Sequence, residues 1–271
     1  MSKEWDGIRN LTEQYRKLNL DQVLDYRKFN LYSIVHHSTQ IEGSTLTESE
    51  IQVFLEEDMT AKGKTFEEHQ MVKDHWDALL FAMDLAGQKK SVSEAFISDL
   101  SAKVMKNTGK SYNTALGTFD SSKGEYRRVN VFAGKSSFVN FEKVPALMKE
   151  FCSQIAERMN VVSDIEDVLK LAFDAHYNMV TIHPFADGNG RVSRLVMNYI
   201  EHFFQQPLSI VYKEDKASYY DALVMTREKS DIGVFRKFMM EQHKKMLLLE
   251  IAKAPGSEAR KKNSDGLSFL F

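Results

Sequence analysis

The stretch IHPFADGNGRVSR, residues 182–194, holds an imidazole, a carboxylate, a Gly-Asn-Gly turn and two guanidinium groups. A helical apolar pattern stops at Pro184 and a second one begins after Gly190, which predicts a loop leading into the start of a helix. Glycines let a ligand approach the backbone closely, and the free N–H groups at a helix start attract anions. The sequence therefore predicts a phosphate site at this turn.

The charged side chains around the turn fit the same chemistry. Arg191 and Arg194 are three residues apart, so both can reach over an anion from one helix face. Asp187 would repel a bare phosphate, but it is suited to a divalent cation such as Mg²⁺ placed between them. His183 can accept a proton near neutral pH, as the activation of a hydroxyl nucleophile requires. Each residue alone is more often a cap, a turn former or a solvated ion-pair partner, and only the complete set favours phosphate chemistry.

Apolar residues at helical spacing and only four prolines predict a mainly α-helical chain to position this loop. Thr47 with Glu50, and Ser91 with Glu94, have the spacing of capping boxes at helix starts. The predicted helices span residues 8–18, 21–37, 47–57, 66–86, 92–107, 143–159, 164–180, 191–205, 216–228 and 231–252. Residues 107–145 are rich in Gly and Ser, with β-prone pieces around YRRVNVF, which predicts a small hairpin there.

Composition limits the class of protein. A net charge of −2 with 43% hydrophobic and 27% charged residues is typical of a soluble globular chain and gives no reason to expect direct nucleic-acid binding. Cys152 is the only cysteine, which excludes an internal disulfide and favours a reducing compartment. The N-terminus lacks the apolar core of a signal peptide, and no run approaches eighteen apolar residues. We therefore expect a cytoplasmic protein without a membrane span.

The loop resembles the signature of the Fic family, HPFx[D/E]GNGRxxR, and matches every fixed position. These positions are His183, Pro184, Phe185, Asp187, Gly188, Asn189, Gly190, Arg191 and Arg194. The resemblance covers residues 30 to 245 approximately and implies a mainly α fold, a Fic-type helical bundle with a small β-hairpin flap. The expected domain spans residues 1–252, with N-terminal helices and an inhibitory motif in 1–60, the flap region in 107–145 and the signature loop in 183–194; residues 253–271 form a C-terminal tail.

Fic proteins typically transfer AMP from ATP to a Ser, Thr or Tyr hydroxyl of a target protein, with a magnesium ion. The resemblance implies that His183 deprotonates the hydroxyl, that Asp187 holds Mg²⁺ and that residues 188–190 cradle the phosphates. Arg191 would clamp the β-phosphate, and Arg194 would hold the γ-phosphate. The chain is thus expected to be a protein adenylyltransferase with ATP as its substrate.

Two further stretches resemble parts of the family. GEYRRVNVFAG, residues 124–134, is similar to the flap, whose edge can pair with an extended target segment; Tyr126, Arg127 and Val129 are its expected docking residues. ASYYDAL, residues 217–223, resembles the stretch in which a tyrosine pair borders the nucleotide. Tyr219 and Tyr220 are accordingly assigned to the adenosine pocket, while Arg227 stands where some relatives have an asparagine.

STQIEG, residues 38–43, resembles the inhibitory motif [S/T]xxxE[G/N] of the family. The resemblance implies that Glu42 pairs with Arg194 and takes the place of the γ-phosphate, so that ATP binds poorly or with its α-phosphate misaligned. Relatives often continue with asparagine after the glycine, whereas this chain has Ser44. We therefore expect a self-inhibited enzyme.

Other functions stay open from the sequence. Glu42 can orient a water for removal of AMP from a modified hydroxyl, which would make the chain a deAMPylase or a bifunctional enzyme. A nucleotide-binding regulator without turnover is the non-enzymatic alternative, and the phosphate donor can differ from ATP. The target protein is not encoded in any recognisable motif, and a homodimer is an assembly that the family often adopts.

Overall fold

The structure is a computed structural model that describes residues 2–19, 26–133 and 136–253. Within these residues the chain forms ten α-helices and two small antiparallel sheets, which confirms the mainly α prediction. The helices are α1 (Ser2–Lys17), α2 (Tyr26–Ile41), α3 (Glu48–Glu57), α4 (Phe66–Gly87), α5 (Glu94–Val104), α6 (Val144–Met159), α7 (Ile165–Ile182), α8 (Asn189–Phe203), α9 (Lys216–Lys229) and α10 (Ile232–Lys253). The expected tail lies outside the described residues from 254 onwards.

Helix α8 is the centre of the bundle. All ten residues from 191 to 200 are buried, and α4, α5 and α7 pack against it. Burial on every side is unusual for a helix that carries two arginines, because charged side chains are seldom buried without a partner. In the described part of the chain, no helix combines the length and apolar character needed to cross a membrane.

The capping patterns predict one helix start correctly and misplace another. At α3, the Thr47 hydroxyl accepts the Glu50 N–H and the Glu50 carboxylate accepts the Thr47 N–H, which confirms the capping box. The predicted box at Ser91 is wrong. Helix α5 begins at Glu94, and its N-cap is Ser93, whose hydroxyl accepts the Phe96 N–H at 3.2 Å.

Two short hairpins lie between α5 and α6. Strand β1 (Ser111–Thr114) pairs with β2 (Gly117–Asp120), and β3 (Phe132–Ala133) pairs with β4 (Ser136–Ser137). The small hairpin predicted within residues 107–145 is confirmed, but its strands hardly include YRRVNVF, because residues 125–131 form no regular strand. This segment instead turns inward around the buried Arg127.

Candidate active site

A cavity of about 930 Å³ lies beside the loop that joins α7 to α8, with α9 on its far wall. Most residues of the predicted site line it, namely Glu42, His183, Asp187, Gly188, Asn189, Gly190, Arg194, Tyr219 and Tyr220. Arg191 and the flap residues Tyr126, Arg127 and Val129 do not. The structure therefore gathers predicted residues from three distant parts of the sequence around one cavity.

His183 ends α7 in a conformation that directs its ring toward the cavity. Its backbone is left-handed (φ 52°, ψ 59°), and its N–H donates to the Met179 carbonyl at 3.0 Å. Pro184 follows and cannot extend the helix. The ring Nδ1 lies 3.3 Å from the Val180 carbonyl, which favours a proton on Nδ1 and leaves Nε2 as the acceptor.

The surroundings of His183 keep its imidazole neutral. The pKa of His183 is lowered to about 4: burial is the main cause and the Arg127 charge adds to it, whereas the Val180 carbonyl and the charges of Asp187 and Glu42 oppose the shift. At neutral pH the ring is thus in its basic form. Proton transfer to Nε2 then requires a substrate that stabilises the imidazolium as it forms.

Glycines at the start of α8 provide room for an anion. Gly188 is the N-cap, with φ 77°, and a Cβ on it would lie 2.8 Å from the Met105 sulfur. A Cβ on Gly190 would lie 2.5 Å from Glu42 Oε1. Because the first N–H groups of a helix have no intrahelical acceptor, this end of α8 can bind an anion at the position now taken by the Glu42 carboxylate.

Asn189 shapes the loop through its side chain. Its Oδ1 accepts the Phe185 N–H at 3.0 Å, and its Nδ2 donates to the Phe185 carbonyl at 2.9 Å. These two bonds close a ring within the loop and bury the amide. Only the backbone of Asn189 is therefore left to contribute to the predicted anion cradle.

Asp187 is the exposed carboxylate of the loop, with 59% of its side chain accessible. Its Oδ1 accepts the Gly188 N–H at 2.6 Å and lies 3.9 Å from Arg191 Nη2. The carboxylate lines the cavity and keeps its second oxygen for a ligand. This is a suitable position for one protein ligand of a cation that also contacts phosphates.

Arg191 does not reach over the cavity as the sequence predicts. It is 3% exposed, and its Nη1 donates to the Val104 carbonyl at 3.3 Å while Nη2 lies 3.2 Å from the Met105 sulfur. Val104 ends α5, so the guanidinium is held at the negative end of that helix dipole. From there Arg191 adds positive potential behind the cavity wall.

Arg194 is buried beneath the cavity and is held by the end of α2. Its Nε donates to the Ser38 hydroxyl at 2.8 Å, and Nη2 donates to the Ser38 carbonyl at 3.1 Å. Nη2 also lies 2.6 Å from Glu42 Oε1. Nη1 is buried beside Gly190 without a hydrogen-bond partner. The arginine therefore retains an unused donor at the predicted phosphate site.

The position of Glu42 follows from the length of α2. The sequence predicts a helix end near residue 37, but α2 continues to Ile41, which places Ser38 and Glu42 one turn apart on the same face. Gly43, with φ 109°, ends this segment. Both residues consequently meet the same guanidinium.

Glu42 is charged in this environment. Burial raises its pKa, but the charges of Arg194 and Arg191 and the hydrogen bond from Arg194 outweigh that effect, so the pKa lies below its ordinary value. The side chain is still 26% exposed toward the cavity. The carboxylate is thus an internal anion bound at the start of α8.

The two tyrosines have different environments. Tyr219 is 2% exposed, and its hydroxyl lies 2.8 Å from Nε2 of the buried His176. Tyr220 is 44% exposed and stands at the rim of the cavity. The sequence does not reveal the contact with His176, because the two residues come from α7 and α9.

Arg127 organises the flap from the inside. It is 2% exposed, and it donates to three carbonyls: His183 at 2.7 Å, Val129 at 2.8 Å and Val139 at 2.6 Å. All three contacts engage the guanidinium inside the protein, so the Arg127 side chain is not free to bind a target, and docking through the main chain of the flap stays a prediction. Tyr126 is also turned inward, with its hydroxyl buried and its ring 5.6 Å from that of Phe185.

Sequence reasoning missed Phe138, which touches the predicted base. Its ring stacks on the His183 imidazole, with centroids 3.8 Å apart and planes at 17°. Phe138 follows β4 in a segment without helical or strand periodicity. No sequence signal identifies such a contact, since it depends on the irregular path of the flap.

The fold and the cavity define a helical bundle in which a helix start, a buried arginine and a basic imidazole surround an anion site. Residues 91–200 match the model of the Fic/DOC family. The protein adenylyltransferase Fic of Drosophila willistoni is 31% identical over 222 residues, covering 82% of this chain and 42% of that protein. Residues 91–200 thus form a Fic/DOC domain, which confirms the resemblance there.

Solved structures show the same fold. A Fic domain containing signaling protein from Bacteroides thetaiotaomicron superposes with a TM-score of 0.79 at 23% identity, covering 93% of this chain and 98% of that one. Fic-1 from C. elegans gives a TM-score of 0.71 at 24% identity, with 97% and 74% of the two chains covered. This chain spans only 39% to 43% of the length of the curated relatives that it matches.

Proposed function

We propose that this chain is a protein adenylyltransferase that transfers AMP from ATP to a Ser, Thr or Tyr hydroxyl of a target protein. The observation that carries the proposal is the buried Arg194 at the start of α8, whose phosphate position is filled by Glu42. The 31% identical relative from Drosophila willistoni is named for the same activity. Glu42 accordingly acts as an inhibitor built into the chain.

The chemistry follows from the positions of the base and the anion site. The target hydroxyl gives its proton to His183 Nε2 and its oxygen attacks the α-phosphorus of ATP. The bond between this phosphorus and the bridging oxygen breaks, and pyrophosphate leaves. The N–H groups of α8 and the unused Nη1 of Arg194 stabilise the phosphate charge.

The residues present fit a magnesium ion bound together with a nucleotide. Asp187 offers one exposed carboxylate in the cavity. Among the described residues there is no group of three or more His, Cys, Asp or Glu side chains that could hold a metal alone. Mg²⁺ commonly takes one or two carboxylates and completes its shell with phosphate oxygens and water. When bound at Asp187, it would neutralise phosphate charge.

Inhibition follows from competition for one guanidinium. Glu42 holds Arg194 through Oε1 at 2.6 Å, and a Cβ on Gly190 would collide with the same carboxylate oxygen. A γ-phosphate needs both the guanidinium and this space. ATP must therefore displace Glu42 or bind with its α-phosphate out of line with the acceptor.

A mutation series tests the proposal. Glu42→Gly should raise labelling of lysate proteins, or of the chain itself, from α-labelled ATP by roughly 5- to 150-fold, the usual range by which an effector changes the affinity for a ligand. His183→Ala added to Glu42→Gly should abolish the labelling. Glu57→Gly removes an exposed glutamate from the end of α3 and should match the wild type. A Glu42→Gly variant that binds ATP without labelling anything would overturn the proposal and favour a nucleotide-binding regulator.

The geometry also favours a second reaction at the same site, removal of AMP from a modified hydroxyl. Arg194 engages only Oε1 of Glu42, so Oε2 can orient an attacking water in the cavity. Wild-type protein should then release AMP from a modified target, and Glu42→Gly should not. Release that persists in Glu42→Gly would exclude this role for the glutamate.

The proposal extends to the setting of the reaction. Residues 1–252 act as one domain, and the buried free Cys152 suits a reducing compartment such as the cytoplasm. A homodimer is the proposed assembly, because members of the family often self-associate. The acceptor is a protein whose exposed hydroxyl approaches His183 from the side of the flap.

A further inference from the structure

Phe138 makes a contact with the proposed base that the reaction scheme does not use. Its ring lies almost parallel to the His183 imidazole, at a centroid distance of 3.8 Å. A ring at this distance touches the imidazole face over most of its area. The acceptor lone pair of Nε2, however, lies in the plane of the imidazole, so that stacking leaves it accessible.

Two arginines fix the stack. The Arg227 guanidinium of α9 lies 5.6 Å from the Phe138 centroid, within the range of a cation–π contact. Arg127 donates both to the His183 carbonyl, at 2.7 Å, and to the carbonyl of Val139, the neighbour of Phe138, at 2.6 Å. One guanidinium therefore sets the backbones of the two stacked residues relative to each other.

The imidazole has few other restraints. Its Nδ1 contact with the Val180 carbonyl is long, at 3.3 Å, and fixes one point of the ring rather than its plane. Rotation of the imidazole about the Cβ–Cγ bond would turn Nε2 away from the position of an acceptor hydroxyl. A flat partner on one face opposes that rotation, because only parallel planes keep the full contact.

We propose that Phe138 is a positioning residue that holds the plane of the His183 imidazole so that Nε2 faces the acceptor hydroxyl. This inference rests on the proposed transfer reaction. It also links the flap, where a target segment docks, to the orientation of the base. The requirement is for a flat ring at position 138, and apolar bulk alone does not meet it.

The activity test separates ring shape from bulk. In the Glu42→Gly background, Phe138→Leu and Phe138→Ala should lower kcat roughly two- to tenfold, the factor that an aromatic pair is worth, with KM for ATP little changed. Phe138→Tyr should keep most of the rate. Phe66→Ala removes a 72% exposed phenylalanine from the start of α4, outside the flap and the cavity lining, and should leave kcat unchanged. An increase of kcat in Phe138→Ala, or equal rates for Leu and Phe at this position, would overturn the inference.

A second measurement does not depend on transfer. NMR signals of the His183 ring protons, which the stacked ring shields, should move in Phe138→Ala and Phe138→Leu and stay in place in Phe66→Ala. Unmoved signals would show that the stack is absent in solution and would sink the inference. If the signals move but Glu42→Gly shows no transfer at all, the proposed function fails and the stack itself stands.

Discussion

Two residues with left-handed backbones delimit the loop between α7 and α8. His183 has φ 52° and Gly188 has φ 77°. The left-handed region costs a residue with a Cβ roughly 1–2 kcal/mol, and such costs are concentrated at functional sites. The histidine carries this strain, whereas the glycine avoids it. As a result, the chain changes direction within a few residues, and the imidazole and the start of α8 lie at the same cavity.

Gly188 is required for two separable reasons, its backbone angle and the space around it. Gly188→Ala should lower the free energy of unfolding by roughly 2–5 kcal/mol, because left-handed strain adds to a collision of the new Cβ with Met105. Gly63→Ala is a matched control, since Gly63 has φ 79° and a Cβ there would meet nothing within 4 Å. It should cost roughly 1–2 kcal/mol. Urea unfolding of the two variants measures the difference.

Equal losses for Gly188→Ala and Gly63→Ala would contradict this account. They would mean that the Met105 side chain moves aside at no cost. Gly188→Ala in a Met105→Ala background, compared with Met105→Ala alone, isolates the steric part: without the long side chain, the new Cβ should cost only the backbone strain.

At the scale of elements, Arg127 links the flap to the loop after α7. Its guanidinium serves carbonyls on both sides of the β3–β4 hairpin and the carbonyl of His183. Its own N–H donates to the Pro184 carbonyl at 2.9 Å. This one residue holds together segments that secondary structure does not connect.

Arg127→Ala should therefore lower the free energy of unfolding by roughly 2–4 kcal/mol, because it leaves three buried carbonyls without a charged donor. Hydrogen exchange should become faster between residues 129 and 139. Arg128→Ala, which removes the exposed neighbouring arginine, is the control and should change stability by no more than about 0.5 kcal/mol. Similar losses in the two variants would show that Arg127 does not anchor the flap.

The helices were predictable and the flap was not, for a physical reason. Ten helices follow from apolar periodicity, which is local information, and the structure has all ten with shifted ends. The path of residues 125–131 depends on where Arg127 finds its acceptors, and one of these is His183, 56 positions away. Periodicity carries no information on such a contact.

In the candidate site, too, the features with a local sequence signal were predictable and those that depend on distant contacts were not. The phosphate position at α8 could be predicted, because a glycine turn before a helix is a local signal. Arg191 looks equivalent to Arg194 in sequence, yet it points to the end of α5 and only Arg194 lines the cavity. The difference arises from the neighbours of α8 in the bundle, and no spacing rule contains it.

On the scale of the whole molecule, burial keeps most of the histidines neutral. Six of the eight have pKa values below the ordinary one, with burial as the largest cause in each: His36, His37, His75, His176, His183 and His243. Glu201 is the opposite case, since burial raises its pKa to about 7. These shifts couple folding to pH.

The sign of that coupling can be worked out. An unfolded histidine binds a proton below about pH 6.5, whereas the folded His183 does so only near pH 4. Its contribution to the free energy of unfolding is therefore complete above pH 6.5 and is lost as the pH falls toward 4. Each such group contributes up to about 1.4 kcal/mol per pH unit in this window. The pH dependence that Glu201 contributes has the opposite sign and offsets that of one histidine. Its contribution to the free energy of unfolding is complete below pH 4.5 and is lost as the pH rises through 7. The free energy of unfolding should accordingly rise from pH 4.5 to 6.5.

Urea unfolding between pH 4.5 and 7.5 measures this slope, and single variants show which groups produce it. His243→Asn should reduce the slope by up to about 1.4 kcal/mol per pH unit, because it removes a group whose folded pKa is about 3. Ser209→Ala keeps that histidine and removes the hydroxyl that lies 2.8 Å from its Nδ1. It should lower stability at every pH and leave the slope between pH 4.5 and 6.5 unchanged, whereas near pH 7 the loss of its hydrogen bond to Glu201 raises the pKa of that carboxyl further. A flat profile in the wild type, or a slope that Ser209→Ala changes as much as His243→Asn, would place the proton coupling elsewhere in the molecule.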